Sequence, residues 1–246
     1  MSLPELRAIA QPPEYSPAPT DRLYRLFSIY LSVPLARTGA SPNGITLAWI
    51  LIGLAGVAGV ASGVWALAVA GALLLQLSYL LDFVDGEVAR LTDRRSVTGG
   101  FLDLLGHGLL KPSLLLAAGA AAASATGSWL FLLAGAVGGV SVGVGDSLRF
   151  YAACTLADLE SGDLGHATTA RPTRRPTLTL SRLLGALFQQ TFESPGLYGL
   201  VLLAAAADRL DLVTLYWAAA GPLWLTRRAV AYCRRMGEPS LTDRRC

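Results

Sequence analysis

Apolar residues in this chain come in blocks near membrane length, at 44–61, 64–81, 99–123, 128–153 and 212–230, with a shorter one at 195–207. Lipid offers the peptide bond no hydrogen-bonding partner, so blocks of about twenty apolar residues survive there as helices that satisfy their own backbone. A composition of 53% hydrophobic and 15% charged residues agrees, and it argues against a nucleic-acid partner. The expected fold is an all-α integral membrane protein, with six transmembrane helices between residues 41 and 236 preceded by an N-terminal amphipathic interfacial helix. Its fifth span is short, so that helix is expected either to run past Asp208 or to begin nearer Leu183.

Arginines give the orientation. Arg22, Arg25 and Arg37 precede the first span, and Arg90, Arg94 and Arg95 follow the second. Arg149, Arg171, Arg174, Arg175 and Arg182 follow the fourth, and Arg227, Arg228, Arg234 and Arg235 close the sixth. By the positive-inside rule these segments and both termini are cytoplasmic, in the cell (inner/plasma) membrane. Ser62-Gly63, Thr126-Gly127-Ser128 and the connection holding Asp208, Arg209 and Asp211 then fall on the far side.

Residues 1–18, with Pro4, Pro12, Pro13 and Pro17, read as a disordered cytosolic tail that does not pack, and 237–246 as a C-terminal tail. Within 19–37, Leu23, Leu26, Phe27, Tyr30 and Leu31 share one helical face with Arg22 and Arg25 off it, the pattern of a helix lying on the membrane. Ser41-Pro42-Asn43 is expected to cap the first span through a polar side chain. Cys154, Cys233 and Cys246 are too scattered for a disulfide framework or a zinc site and read as free thiols.

One stretch interrupts the apolar pattern with acid: Asp82-x-x-Asp85-Gly86-x-x-Ala89-Arg90, eight residues, then Gly99-x-x-x-Asp103-x-x-x-His107. The step from Val64 to Asp82 climbs roughly 27 Å along a helix, which brings Asp82 to the cytoplasmic boundary. Carboxylates at such a depth are costly and mark function. Helical steps of three and four put Asp82, Asp85 and Ala89 on one face with Gly86 and Arg90 at its border, and Gly99, Asp103, His107 and Lys111 on one stripe of the next helix. Gly86 and Ala89 leave the backbone open to a phosphate-bearing ligand, and Arg90 supplies a cationic fork. If the two helices pair, three carboxylates and an imidazole share a pocket suited to one or two Mg²⁺ or Mn²⁺ ions. Helix capping and salt bridges to Arg90, Arg94 and Arg95 would explain the acids but neither the stripe nor the glycines.

These residues resemble the signature of the CDP-alcohol phosphotransferases, membrane enzymes that move a substituted phosphate from a CDP-linked alcohol to a hydroxyl. The six-span layout agrees. The resemblance implies that Asp82, Asp85 and Asp103 bind a divalent pair and that Gly86, Ala89, Arg90 and Gly99 shape the CDP pocket. It also implies CMP release in phospholipid or related lipid synthesis, a CDP-linked alcohol or lipid and a hydroxyl acceptor as partners alongside membrane lipids, and a homodimer. The family usually carries a fourth aspartate where this chain has His107, a residue that helps hold metal and takes the proton of the attacking hydroxyl.

An imidazole with an ordinary pKa of about 6.5 is a competent base near neutral pH, so His107 is expected to deprotonate the acceptor, with Asp103 beside it. Losing an anionic oxygen weakens a second ion or shifts preference toward Mn²⁺ or Zn²⁺. Lys111, one turn deeper, is a candidate contact for a phosphate or the acceptor, against the alternative of snorkelling to the interface. Asp146 and Arg149, three apart, either line the acceptor site or pair with each other. Two other readings stay open: a catalytically silent CDP-lipid-binding relative, and a membrane transporter, whose inverted repeat is not visible in the chain.

Overall fold

The computed structural model describes residues 2–12, 19–160, 185 and 187–236, the side chains of 19–20, 152–160 and 235–236 excepted. The expectations for Arg171, Arg174, Arg175, Arg182, Leu183, Cys154, Cys246 and residues 237–246 fall outside that set. Among the described residues all regular structure is helical, in the order α1 (Leu3–Ala10), α2 (Pro19–Arg37), α3 (Pro42–Ala61), α4 (Trp65–Leu91), α5 (Val97–Thr126), α6 (Leu130–Glu160), α7 (Ser194–Ala206) and α8 (Leu210–Met236). Helices α3, α4 and α5, and α6 as far as Tyr151, are long and apolar enough to cross a membrane.

The N-terminal arm differs from its expected disorder. Glu5 accepts a hydrogen bond from the Ser2 N–H at 2.8 Å, and the helix it starts docks on α4: the Ala10 carbonyl accepts from Arg90 Nε at 2.6 Å, and Gln11 Nε2 donates to Glu87 Oε1 at 2.7 Å. Prolines start or follow the helix without entering its interior, so they do not oppose it.

Helix α2 turns its apolar face outward, with Leu23, Leu26, Phe27 and Tyr30 all more than half exposed, as lipid contact requires. Its inward face carries Ser28, Ile29 and Ser32, all fully buried. The two serine hydroxyls donate to Glu87 of α4, each at 2.6 Å.

Ser41 stands at the α3 N-cap, but its side chain makes no capping hydrogen bond, contrary to expectation. Pro42 opens the helix instead, with the ring in place of an N–H that would need a partner. Helix α7 neither passes Asp208 nor continues the helical residues 187–190. Asp208 turns the chain with φ +56, and residues 191–193 break the helix ahead of Ser194. At 13 residues α7 spans roughly 20 Å.

Helix α3 packs on both α4 and α5, which barely touch each other; α6 and α8 cover the other side of α5, and α7 lies against α4. The α5–α6 contact is close because Gly119 and Gly135 face each other, and a Cβ on Gly135 would come within 2.6 Å of the Leu115 carbonyl oxygen. At one end of the bundle Gly63, Thr126, Asp208 and Arg209 line a single hollow, so the connections after α3, α5 and α7 share that end. Arg209 there forks onto both oxygens of Asp211 at 3.0 Å.

Candidate active site

The other end is polar. Asp82, in the second half of α4, and Asp103 and His107, one turn apart on α5, converge with one ligand atom each inside 4.8 Å of one another. His107 Nε2 lies 3.5 Å from Asp82 Oδ1 and 3.5 Å from Asp103 Oδ1. The sequence stripes therefore meet, but α4 and α5 do not pair as expected. Both pack on α3, and these side chains meet beside it.

Asp85 stands apart from this trio. It is buried, and its Oδ2 accepts from Thr46 Oγ1 at 2.6 Å and from Trp49 Nε1 at 2.8 Å, both on α3. With both donors on one oxygen, Oδ1 has no hydrogen-bond donor among the described residues. Trp49 is 1% exposed and its ring also lies beside His107, centroids 5.3 Å apart. The His107 Nδ1 is buried without a hydrogen-bond partner, so Nε2 is the ring's one working nitrogen.

Gly86 is half-buried, and a Cβ there would press on the Arg90 guanidinium at 3.3 Å. Ala89, also half-buried, lies one turn further along. Arg90 is engaged with the Ala10 carbonyl at its Nε. Gly99 has a local reason to lack a side chain: its N–H donates to the N-cap Ser96 Oγ at 3.0 Å, and a Cβ would press to 2.8 Å on Asn43 Oδ1.

Asp146 and Arg149 do not pair. Asp146 turns inward to Lys111 Nζ at 2.9 Å, and Arg149 reaches outward to Glu193 Oε2 at 3.3 Å. Lys111, 5% exposed, does not snorkel because a carboxylate on α6 meets it at its own depth. Sequence reasoning missed Thr46, Trp49 and Glu87. The visible signal was a polar-capable pair three residues apart in the otherwise apolar α3, and a third acid inside the motif.

Two carboxylates and an imidazole within ligating distance form a donor set that fits a divalent cation of the Mg²⁺ or Mn²⁺ type. A helical bundle with several membrane-length apolar helices defines an all-α integral membrane protein. Residues 40–217 match the CDP-alcohol phosphatidyltransferase family, and the chain belongs to it. The match contains every residue of the acidic stretch. Members transfer a substituted phosphate from a CDP-alcohol in lipid synthesis and depend on divalent metal. A comparison with curated proteins found no match.

Proposed function

We propose that this chain is an active, metal-dependent phosphotransferase that passes a substituted phosphate from CDP-diacylglycerol or a CDP-linked headgroup to a hydroxyl and releases CMP. The observation that carries this reading is the convergence of Asp82, Asp103 and His107 from two helices that hardly touch. A carboxylate at position 107 would have one oxygen for a metal and another for a proton. The imidazole, with Nδ1 sealed, has a single nitrogen for both tasks.

We assign Nε2 to the proton. His107 takes it from the acceptor hydroxyl, and the two carboxylate oxygens 3.5 Å away stabilise the imidazolium that results. Asp82 and Asp103, joined by Oδ1 of Asp85, would then hold the cation, an all-oxygen set suited to Mg²⁺ or Mn²⁺. When bound, the ion neutralises diphosphate charge and stabilises the leaving oxygen. The small side chains at Gly86 and Ala89 admit the nucleotide, with Arg90 and Gly99 at its edge. Lys111 and Arg149, each answered by a carboxylate, anchor α6 and do not serve as spare phosphate-binding cations. The pocket faces the cytoplasm, at the end of the bundle flanked by Arg94 and Arg95.

Purified protein given Mn²⁺, CDP-diacylglycerol or CDP-linked headgroups, and a panel of alcohols is expected to release CMP. Nucleotide binding without CMP release under every combination would identify a silent relative and overturn the assignment.

A further inference from the structure

Trp49 touches both halves of this pocket. It comes from α3, the helix on which α4 and α5 both rest, and the Ser78 hydroxyl of α4 holds its backbone carbonyl at 2.8 Å. Its indole N–H reaches Asp85, and its ring face lies at 38° to the imidazole of His107. Room for that ring exists because residue 106 is glycine: a Cβ at Gly106 would stand 2.2 Å from Trp49 Cη2.

A histidine at a metal centre is ordinarily oriented by a hydrogen bond from its other ring nitrogen. His107 has no such bond, since Nδ1 is buried and unpartnered. Something else must set the plane that points Nε2 at Asp82 and Asp103. Among the described residues the aromatic ring beside it is Trp49, tilted 38° to the imidazole with centroids 5.3 Å apart.

We propose that Trp49 is a positioning residue that replaces this missing hydrogen bond: its N–H fixes the Asp85 carboxylate while its ring fixes the imidazole plane of His107. The inference rests on the reading of Asp82, Asp85 and Asp103 as cation ligands and His107 as base. A carboxylate at position 107 is flat at its tip and reaches the same atoms by rotation, so it has no need of the wall. Trp49 thus matters to this chain through the residue that departs from the family pattern.

The experiment uses full-length protein in detergent with two readouts, Mn²⁺ affinity and CMP release at saturating Mn²⁺. Trp49→Phe keeps a ring and removes the N–H, and it is expected to weaken Mn²⁺ binding about tenfold, as loss of an outer-shell partner does. Trp49→Leu removes the ring and is expected to lower CMP release by a further tenfold in the natural background. In the His107→Asp background its effect on CMP release should nearly vanish. Gly106→Ala, which displaces the ring and deletes no group, gives the same contrast if the leucine variant does not fold.

Unchanged Mn²⁺ affinity in Trp49→Phe, or equal losses of CMP release in the two backgrounds, overturns the proposal. A wild type that binds Mn²⁺ but never releases CMP sinks the proposed activity instead, and the affinity of Trp49→Phe still decides whether the indole holds Asp85.

Discussion

His107 concentrates the chemistry of the site on one atom. Because Nδ1 is sealed, Nε2 either ligates or accepts a proton, and the two choices separate experimentally. With the imidazole as base, His107→Ala is expected to lower CMP release by roughly 100-fold or more while Mn²⁺ affinity changes by less than about threefold. Parallel losses in both would make His107 a ligand. His107→Asp is expected to restore much of the turnover, since a carboxylate has an oxygen for each task. Lys111 makes a different argument. Its ammonium is buried with Asp146 at 2.9 Å, so Lys111→Met leaves a half-buried carboxylate without its partner and is expected to cost about 2 kcal/mol. Thermal unfolding in detergent measures it, and adding Asp146→Leu should recover most of the loss because the charge to be answered is gone.

Among the helices, α2 shows why amphipathicity is read with its surroundings. Its leucines and Phe27 were legible as an apolar face, and the structure turns that face outward. What pins the helix is its polar side, where Ser28, Ser32 and the neighbouring Gln11 all donate to Glu87, 1% exposed on α4. Glu87→Ala leaves the Ser28 hydroxyl without its acceptor, at about 1–3 kcal/mol for a buried group, while Gln11 and Ser32 keep only the Arg25 and Ser28 carbonyls. The expected result is an N-terminal arm that opens more often, read as trypsin cleavage at Arg7, Arg22 or Arg25 at least about tenfold faster than in wild type. Glu87→Gln, which keeps one acceptor oxygen, should fall between. Neither serine nor glutamate stood out in the sequence, because hydroxyls on a helix and an acid 55 to 59 residues away look like ordinary surface polarity until the fold brings them together.

Across the whole molecule, polar groups sit at opposite ends of the bundle, the acidic pocket at one and the Gly63, Thr126 and Asp208 connections at the other. With Cys154, Cys233 and Cys246 replaced by serine, single cysteines at Ser62 and Ser128 should react with an impermeant maleimide from outside intact cells. Cysteines at Arg94 and Thr38 should react only after permeabilisation. Labelling of all four from one side would contradict the proposed topology. The apolar blocks, the arginine bias and the two stripes of the motif follow from composition and helical period alone, because lipid and the 3.6-residue turn act on each segment separately. The N-terminal arm, the break before α7, the partners of Lys111 and Arg149 and the place of Trp49 depended on which helix lies beside which. Those were decided by which helices pack together, the arm on α4, α5 on α6 and α3 against both α4 and α5, since a contact between distant residues exists only once the segments that carry them have been brought together.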